Sequence, residues 1–289
     1  MKNSPTITRN RSILVLALVF FSTLALFLIV YFFNPALATG VTIAWATTVL
    51  IGVMYLDRKR TELLGLENQY RELRAFINLQ PMLNNAFLPY SFWAMEPSNI
   101  LNLLSTMQYQ KYRTVVECGA GVSTLAIGKL LMQMGEGHVY SLEEDQHWYD
   151  VMCSAVAHDG VSDYVTIVHA PLEHNATSGT LWYAAEATGR VLEQAGHIDV
   201  LLIDGPKSIA PLSRYPALPT FAPALDSTSL IILDDSKRGN EKKVIKQWGE
   251  AFDIEVEQLK ATLRGQAYIR LRTKPSMKTS PNDRQAITH

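Results

Sequence analysis

The hydrophobic pattern divides the chain into an apolar amino-terminal part and a longer part in which apolar and polar stretches alternate. Residues 13–33 and 36–56 are two runs of 21 residues without a charged side chain, separated by Asn34 and Pro35. At about 1.5 Å per residue, each run forms a helix of about 30 Å, the thickness of the hydrocarbon core of a bilayer. Since two residues allow only a tight turn, the pattern predicts a transmembrane helical hairpin within residues 1–56.

Basic residues flank both runs and are missing from the connection. Lys2, Arg9 and Arg11 precede the first run, and Arg58, Lys59 and Arg60 follow the second. The positive-inside rule then places both termini and everything after residue 56 in the cytoplasm, as a multi-pass protein of the inner membrane. The alternative is a cleaved signal peptide with its site near Ala38, but a 21-residue apolar core is long for a signal and a second span follows at once.

Small residues recur every four positions along the second run, at Ala36, Gly40, Ala44, Thr48 and Gly52. Such a ridge lets another helix approach closely. Three interpretations remain open: chance alignment in a run that is rich in small residues, packing against the first span, and a homodimer through the transmembrane helices.

Residues 57–87 form a predicted stalk helix and linker between the membrane segment and a folded domain. Leu63, Leu66, Tyr70, Leu73 and Ile77 are spaced by three and four, which is typical of a helix. Two prolines, at positions 81 and 89, end the pattern. The folded domain is assigned to residues 88–273, and the polar tail 274–289 is predicted to be disordered.

Short apolar runs alternate with helical patterns across this domain. Strands are predicted at 114–118, 138–142, 164–169, 199–203, 229–233, 254–259 and 266–272, and helices at 122–134, 146–157, 181–194, 215–225 and 240–248. This order predicts an α/β, Rossmann-like, doubly wound domain with a mostly parallel seven-stranded sheet that a carboxy-terminal antiparallel hairpin closes. Trp182 and Tyr183 either pack the predicted helix 181–194 or line an acceptor pocket.

Charge and cysteine content exclude some functions. The chain has 26 Lys and Arg against 27 Asp and Glu, a net charge of −1, which disfavours a nucleic-acid partner. Its two cysteines exclude a disulfide-stapled secreted scaffold.

The strongest local motif is the glycine turn that follows the first strand. Glu117, Gly119, Gly121 and Ser123 lie where this strand ends and a helix begins, so that a ligand can approach the backbone at the helix amino terminus. A dinucleotide-binding fingerprint needs a third glycine where this chain has Thr124, which disfavours an NAD site and an oxidoreductase.

Polar residues also follow the next strands. Glu143, at the end of the second strand, can accept hydrogen bonds from both hydroxyls of a ribose, whereas Glu144 or Asp145 can instead cap the following helix. Ala170, after the third strand, can flank an adenine ring.

Three carboxylates follow the fourth and fifth strands, namely Asp204, Asp234 and Asp235. Together they repel one another unless a cation, a network of donors or raised pKa values compensate. The alternative is that Asp235 caps the next helix and Asp204 fixes a loop.

From about residue 88 to residue 272 the chain resembles bacterial class I S-adenosylmethionine-dependent methyltransferases of the small-molecule O-methyltransferase kind. The resemblance rests on the motifs ECGAGVST, SLEED, IDGP, RYPALP and LDD, in that order, and on the terminal hairpin. It implies S-adenosyl-L-methionine as cofactor and a small-molecule acceptor, and it assigns cofactor binding to Glu117, Gly119, Gly121, Ser123, Glu143, Ala170 and Asp204.

Asp204, with Lys207 three residues later and then Asp234 and Asp235, is similar to the pattern of cation-dependent, catechol-type O-methyltransferases. By this resemblance the three carboxylates are ligands of Mg²⁺ or another divalent cation, and Lys207, with Asp204, is catalytic, as general base for an acceptor hydroxyl. The chain departs from that pattern because Asp235 stands where those enzymes have Asn, which puts the metal in doubt.

The expected function is a membrane-anchored methyltransferase that methylates a small molecule, a glycan or a lipid-linked acceptor at the cytoplasmic face of the bilayer. The alternative is a non-catalytic membrane-anchored module that retains the cofactor-binding fold for interaction with a partner.

Overall fold

The computed structural model describes residues 5–83, 94–175, 179–207, 210–259 and 264–273. The first six residues of the assigned domain, 88–93, and the tail predicted at 274–289 lie outside these residues. The chain divides into two compact units, residues 1–69 and 70–289.

Two long helices dominate the first unit. Helix α1 spans Pro5–Phe33, and α2 starts at Pro35 and runs to Leu79 in the second unit. Asn34 separates them: its backbone N–H donates to the carbonyl of Val30 (2.8 Å), and its Oδ1 accepts from the backbone N–H of Leu37 (3.2 Å). The same residue therefore ends one helix and caps the next.

The apolar side chains of these helices are mostly exposed. Phe21 and Ile29 in α1 and Ile51 in α2 are 65%, 59% and 62% exposed. Within the part of the chain that the structure describes, one helix is long and apolar enough to cross a membrane, over Leu37–Met82; the apolar stretch Leu18–Phe33 is shorter. By itself this is weak support for a membrane span, and the predicted hairpin stays a prediction.

Helices and strands alternate through the second unit. After a 3₁₀ turn at Gln80–Met82, the elements are α3 (Pro97–Gln110), β1 (Thr114–Cys118), α4 (Val122–Met134), β2 (His138–Glu143), α5 (Gln146–His158), β3 (Val165–His169), β4 (Leu172–His174), β5 (Leu181–Tyr183), α6 (Ala185–Ala195), β6 (Val200–Ile203), α7 (Ala217–Phe221), β7 (Leu230–Asp234), α8 (Gly239–Ala251), β8 (Ile254–Leu259) and β9 (Gln266–Leu271), with a second 3₁₀ turn at Ala222–Ala224 after α7.

Seven strands form one sheet in the order β3-β2-β1-β6-β7-β9-β8. Pairing is parallel from β3 to β7, while β9 runs antiparallel to both β7 and β8. This confirms the predicted sheet and its closing hairpin. The strand order reverses between β1 and β6, which opens a crevice at the carboxyl ends of these strands, where open α/β sheets bind ligands.

Alternate residues of each central strand enter cores on opposite faces of the sheet. Val115 in β1 and Leu202 in β6 pack with α3 and α4, whereas Val116 and Leu201 pack on the other face with α6 and α8. Both faces are therefore covered, which explains why the central strands are continuously apolar.

The predicted helix 181–194 is wrong at its start. Leu181, Trp182 and Tyr183 form β5, which pairs with β4 in a separate two-stranded antiparallel sheet, and α6 begins only at Ala185. Trp182 and Tyr183 are each 1% exposed and belong to the hydrophobic core. The helix predicted at 215–225 is also shorter than expected, and α3 was not predicted.

Candidate active site

The glycine turn after β1 brings backbone close to backbone. Gly119 has φ of +95°, and a Cβ at this position would lie 2.9 Å from the backbone nitrogen of Gly205, in the turn after β6. Its own N–H donates to the carbonyl of Leu142 (2.8 Å). Only glycine fits this position, because the conformation and the neighbouring backbone both exclude a side chain.

Gly121 differs from Gly119 because no neighbouring protein atom excludes a side chain at this position. It caps α4 with extended backbone, and a Cβ there would meet no atom within 4 Å. Gly121 nevertheless lines the cavity of the domain. The open space in front of its Cα, at the amino terminus of α4, therefore lies where a bound ligand can approach the backbone.

Glu117 anchors the glycine turn through hydrogen bonds to its carboxylate. Its carboxylate accepts from the hydroxyls of Ser123 and Thr124, each at 2.5 Å, and of Ser141 at 2.8 Å. Complete burial raises its pKa to about 7, although these three hydrogen bonds oppose the shift. Glu117 thus joins β1, α4 and β2, and it does not line the cavity.

Glu143 reaches the cavity from the end of β2. Its Oε2 accepts from the backbone N–H of Ala120 (3.2 Å) and its Oε1 from that of Asp145 (2.9 Å). Burial raises its pKa to about 7. The side chain of Asp145 caps α5 by accepting from the N–H of Trp148 (2.8 Å), so the capping alternative is confirmed for Asp145.

Trp148 is a lining residue that no motif indicated. Its Nε1 donates to the carbonyl of Ala120 at 2.8 Å, which ties α5 to the glycine turn. The only available signal was a large aromatic residue in the first turn of the helix that follows Glu143.

The three carboxylates predicted to act together do lie together. Each of Asp204, Asp234 and Asp235 has an oxygen within 4.8 Å of one on the others, because β6 and β7 are neighbouring parallel strands. Burial raises the pKa of Asp204 to about 6 and that of Asp234 well above its ordinary value, and the negative neighbours add to both shifts. The alternative that Asp235 caps the next helix is wrong, because the capping position of α8 is Arg238.

Arg214 provides positive charge to this acidic group. Its side chain is 4% exposed, its Nη2 lies 3.4 Å from Asp204 Oδ1, and its Nη1 lies 3.7 Å from Asp235 Oδ2. The same guanidinium donates to the backbone carbonyls of Asp204 and Asp234. In the sequence, Arg214 is the first residue of the RYPALP motif, and no role was predicted for it.

With the arginine in place, the carboxylates do not fit an open metal site. A divalent cation needs several oxygen ligands that are free of other positive partners. Here Arg238 Nη1 also lies 2.8 Å from Asp235 Oδ2, and Asn99 Nδ2 donates to Asp234 Oδ1 at 2.9 Å. The metal-ligand role therefore stays a prediction, one that these contacts disfavour.

A cavity of about 360 Å³ opens at this edge of the sheet. Of the predicted site residues, seven line it, namely Gly119, Gly121, Ser123, Glu143, Asp204, Lys207 and Asp235. Three others do not, namely Glu117, Asp234 and Ala170. Ala170, which follows β3, is fully buried, and its N–H donates to the carbonyl of Glu143. Lys207 is exposed, and its backbone N–H donates to Glu144 Oε1 (3.3 Å).

Comparison with known proteins agrees with this geometry. Residues 116–236 match the family model of a methyltransferase domain. The fold is similar to that of the SAH-bound methyltransferase PaMTH1 from Podospora anserina, with a TM-score of 0.55 and 17% identity over 73% of this chain and 96% of that one. It is also similar to an O-methyltransferase from Bacillus cereus in complex with SAH, with a TM-score of 0.50 and 16% identity over 72% and 97% of the two chains. A search of curated proteins finds no match.

The sheet order and the closing hairpin give the chain the fold of these solved methyltransferases, and residues 116–236 match a methyltransferase domain. Together these findings support an S-adenosylmethionine-dependent methyltransferase.

Proposed function

We propose that the protein transfers the methyl group of S-adenosylmethionine to a hydroxyl of a small-molecule, glycan or lipid-linked acceptor at the membrane. The observation that carries this proposal is the cavity at the sheet edge. There, the open backbone of Gly121 and the carboxylate of Glu143 face the same space from two neighbouring strand ends.

The residues around the cavity divide into two groups. Gly119, Gly121 and Ser123 form the turn against which the cofactor lies, and Glu143 accepts hydrogen bonds from its ribose. Glu117 and Ala170 support this wall from behind, since neither lines the cavity. The backbone N–H groups of Ala120 and Asp145 fix the Glu143 carboxylate before the ligand arrives, which lowers the entropic cost of binding.

Bound S-adenosylmethionine supplies a methyl group that its own sulfonium activates. The chain then has to align the acceptor and remove its proton. The resemblance assigns the second task to Lys207, which lines the cavity and would have to be a neutral amine to accept the proton. Asp204 faces the same cavity from the end of β6 and orients the acceptor hydroxyl.

The apolar helices anchor the domain to the inner membrane as a multi-pass segment, with both termini in the cytoplasm. Support comes from the exposed apolar side chains of α1 and α2 and from the basic residues at both ends of the pair. A membrane-bound enzyme meets lipid-linked or membrane-dissolved acceptors most readily, which favours that acceptor class.

The ridge of small residues along α2 supports a homodimer through the membrane helices. A Cβ at Gly40 or Gly52 would meet no atom within 4 Å, so the ridge of small residues is open to a second helix. Crosslinking of a cysteine introduced at Gly52 would form a disulfide-linked dimer in membranes, whereas one introduced at Val53 serves as the control on another face of the helix.

Binding and transfer are tested with the full-length protein in detergent micelles. Calorimetry should detect one SAH per chain and no NAD; failure to bind SAH would overturn the proposal, and preferential NAD binding would indicate an oxidoreductase. Incubation of membranes with methyl-labelled S-adenosylmethionine should then label an extractable acceptor. SAH binding without label in any membrane metabolite would favour the non-catalytic interaction module.

A further inference from the structure

We propose that Arg214 takes the place of a divalent cation in the acidic cluster of Asp204, Asp234 and Asp235, so that the domain holds these carboxylates together without a metal ion. This inference does not depend on methyl transfer, because it concerns the charge balance of the folded domain.

The cluster needs a positive partner because the sheet brings its members together. Ile203 pairs with Leu233, so the residues that follow them, Asp204 and Asp234, leave adjacent strands side by side. In a site of low dielectric, carboxylates at this distance repel one another strongly. An ion, a charged side chain or uptake of a proton can relieve this repulsion.

Arg214 is placed for this task from another part of the chain. It lies in the turn before α7, and its buried guanidinium reaches Asp204, Asp235 and also Glu241, whose Oε1 is 3.8 Å from Nη1. The backbone carbonyls of Asp204 and Asp234 accept from the same group and fix its plane. Guanidinium remains protonated at every physiological pH and offers five donors in a rigid fork, so one side chain can contact several oxygens as an ion would.

One carboxylate oxygen of each of the three aspartates already faces a donor. Asp204 Oδ1 faces Arg214, Asp234 Oδ1 accepts from Asn99, and Asp235 Oδ2 lies between Arg214 and Arg238. Among the described residues, Asp235 Oδ1 is the one buried carboxylate oxygen of the cluster that has no hydrogen-bond partner. A Mg²⁺ or Ca²⁺ ion in this cluster would compete with Arg214, Arg238 and Asn99 for these carboxylates and would lie close to two positive charges.

The first test is a Mn²⁺ titration of the full-length protein in detergent, followed by the electron paramagnetic resonance signal of free Mn²⁺. We expect no stoichiometric binding with a Kd below about 1 mM and the same melting temperature in EDTA and in MgCl₂. Binding of one Mn²⁺ per chain that Asp235→Asn weakens would overturn the proposal.

The second test removes the proposed counter-ion. Arg214→Gln removes the buried positive charge beside Asp204 and Asp235, so we expect Mn²⁺ to bind at least about tenfold more tightly than to the wild type, a difference of about 1.4 kcal/mol. Added Mn²⁺ should also raise the melting temperature of Arg214→Gln. Arg113→Gln is the matched control, because Arg113 pairs with Glu136 elsewhere on the domain.

Equal Mn²⁺ binding by Arg214→Gln and Arg113→Gln would contradict the proposal. Because loss of a buried counter-ion can prevent folding, the wild-type titration and its Asp235→Asn comparison decide the question without this variant. SAH binding, measured in parallel, is expected to persist in the wild type whatever the outcome with Mn²⁺, so failure of the proposed function would be seen separately.

Discussion

The backbone of Gly119 lies directly against the backbone of Gly205, so closely that a Cβ on Gly119 would come within 2.9 Å of the Gly205 nitrogen. The turns that follow β1 and β6 are thus in contact, and this contact sets one wall of the cavity. Gly121, two residues further along, faces open space instead.

Because their surroundings differ, substitution by alanine should mainly reduce stability at Gly119 and mainly reduce cofactor binding at Gly121. Gly119→Ala should lower the free energy of unfolding by about 2–4 kcal/mol, because it adds both backbone strain and a steric clash. Gly121→Ala should change stability by less than about 1 kcal/mol but weaken SAH binding at least about tenfold. Thermal unfolding and calorimetry check both. Unchanged SAH affinity in Gly121→Ala would place the cofactor elsewhere in the cavity.

At pH 8, where Glu143 with its pKa of about 7 is mostly ionised, Glu143→Gln should reduce SAH affinity about 10- to 100-fold, because hydrogen bonds to a charged acceptor contribute about 1.5–3 kcal/mol. Asp145→Asn is the matched control. Asn caps a helix as well as Asp does, so α5 should remain intact and the affinity should stay within about twofold of the wild type. A loss of affinity in Asp145→Asn with none in Glu143→Gln would move the ribose contact to the neighbouring acid.

Glu117 predicts a pH dependence of stability. Because burial raises its pKa from 4.5 to about 7, the folded state binds a proton more tightly than the unfolded state. Its contribution is fully present below about pH 4.5 and is lost as the pH rises through 7. Relative to Glu117→Gln, the wild type should therefore lose up to about 3 kcal/mol between about pH 4.5 and pH 8.

Melting temperatures of the two proteins across this pH range test the prediction. The exposed Lys242→Gln serves as control and should differ from the wild type equally at both ends of the range. Parallel curves for the wild type and Glu117→Gln would show that Glu117 does not hold an unfavourable charge.

Lys207→Ala should lower turnover about 100-fold or more if this amine removes the acceptor proton. SAH affinity should stay within about threefold, because Lys207 acts on the acceptor. Asp204→Asn should likewise reduce turnover more than SAH binding. Lys242→Ala, on the exposed side of α8, is the control and should retain full activity. Full turnover in Lys207→Ala would remove the lysine from the proposed mechanism.

Much of the fold was readable from local patterns. Helix α4 has the predicted bounds, and the strands β1 and β8 match the prediction at both ends. A largely apolar run before the glycine turn indicated β1, and alternation of apolar and polar residues indicated β8. The pair β4–β5 was missed because three-residue strands carry no measurable period, and Leu181, Trp182 and Tyr183 are equally suited to a helix.

For the site, the sequence by itself determined which residues stand at strand ends: Gly119, Gly121, Glu143, Asp204 and Asp235 all line the cavity. This follows because the carboxyl ends of parallel strands meet at one edge of the sheet. Only the tertiary structure decided what surrounds them. Trp148 and Arg214 reach the cavity from a helix and from a turn, and no spacing along the chain predicts those contacts. The membrane hairpin remains a prediction from apolar length and charge. The charge of the acidic cluster is balanced by the guanidinium of Arg214, which lies within 4 Å of Asp204 and Asp235 but ten or more residues from either along the chain. Charge compensation depends on distances in the folded domain, and these are fixed by packing.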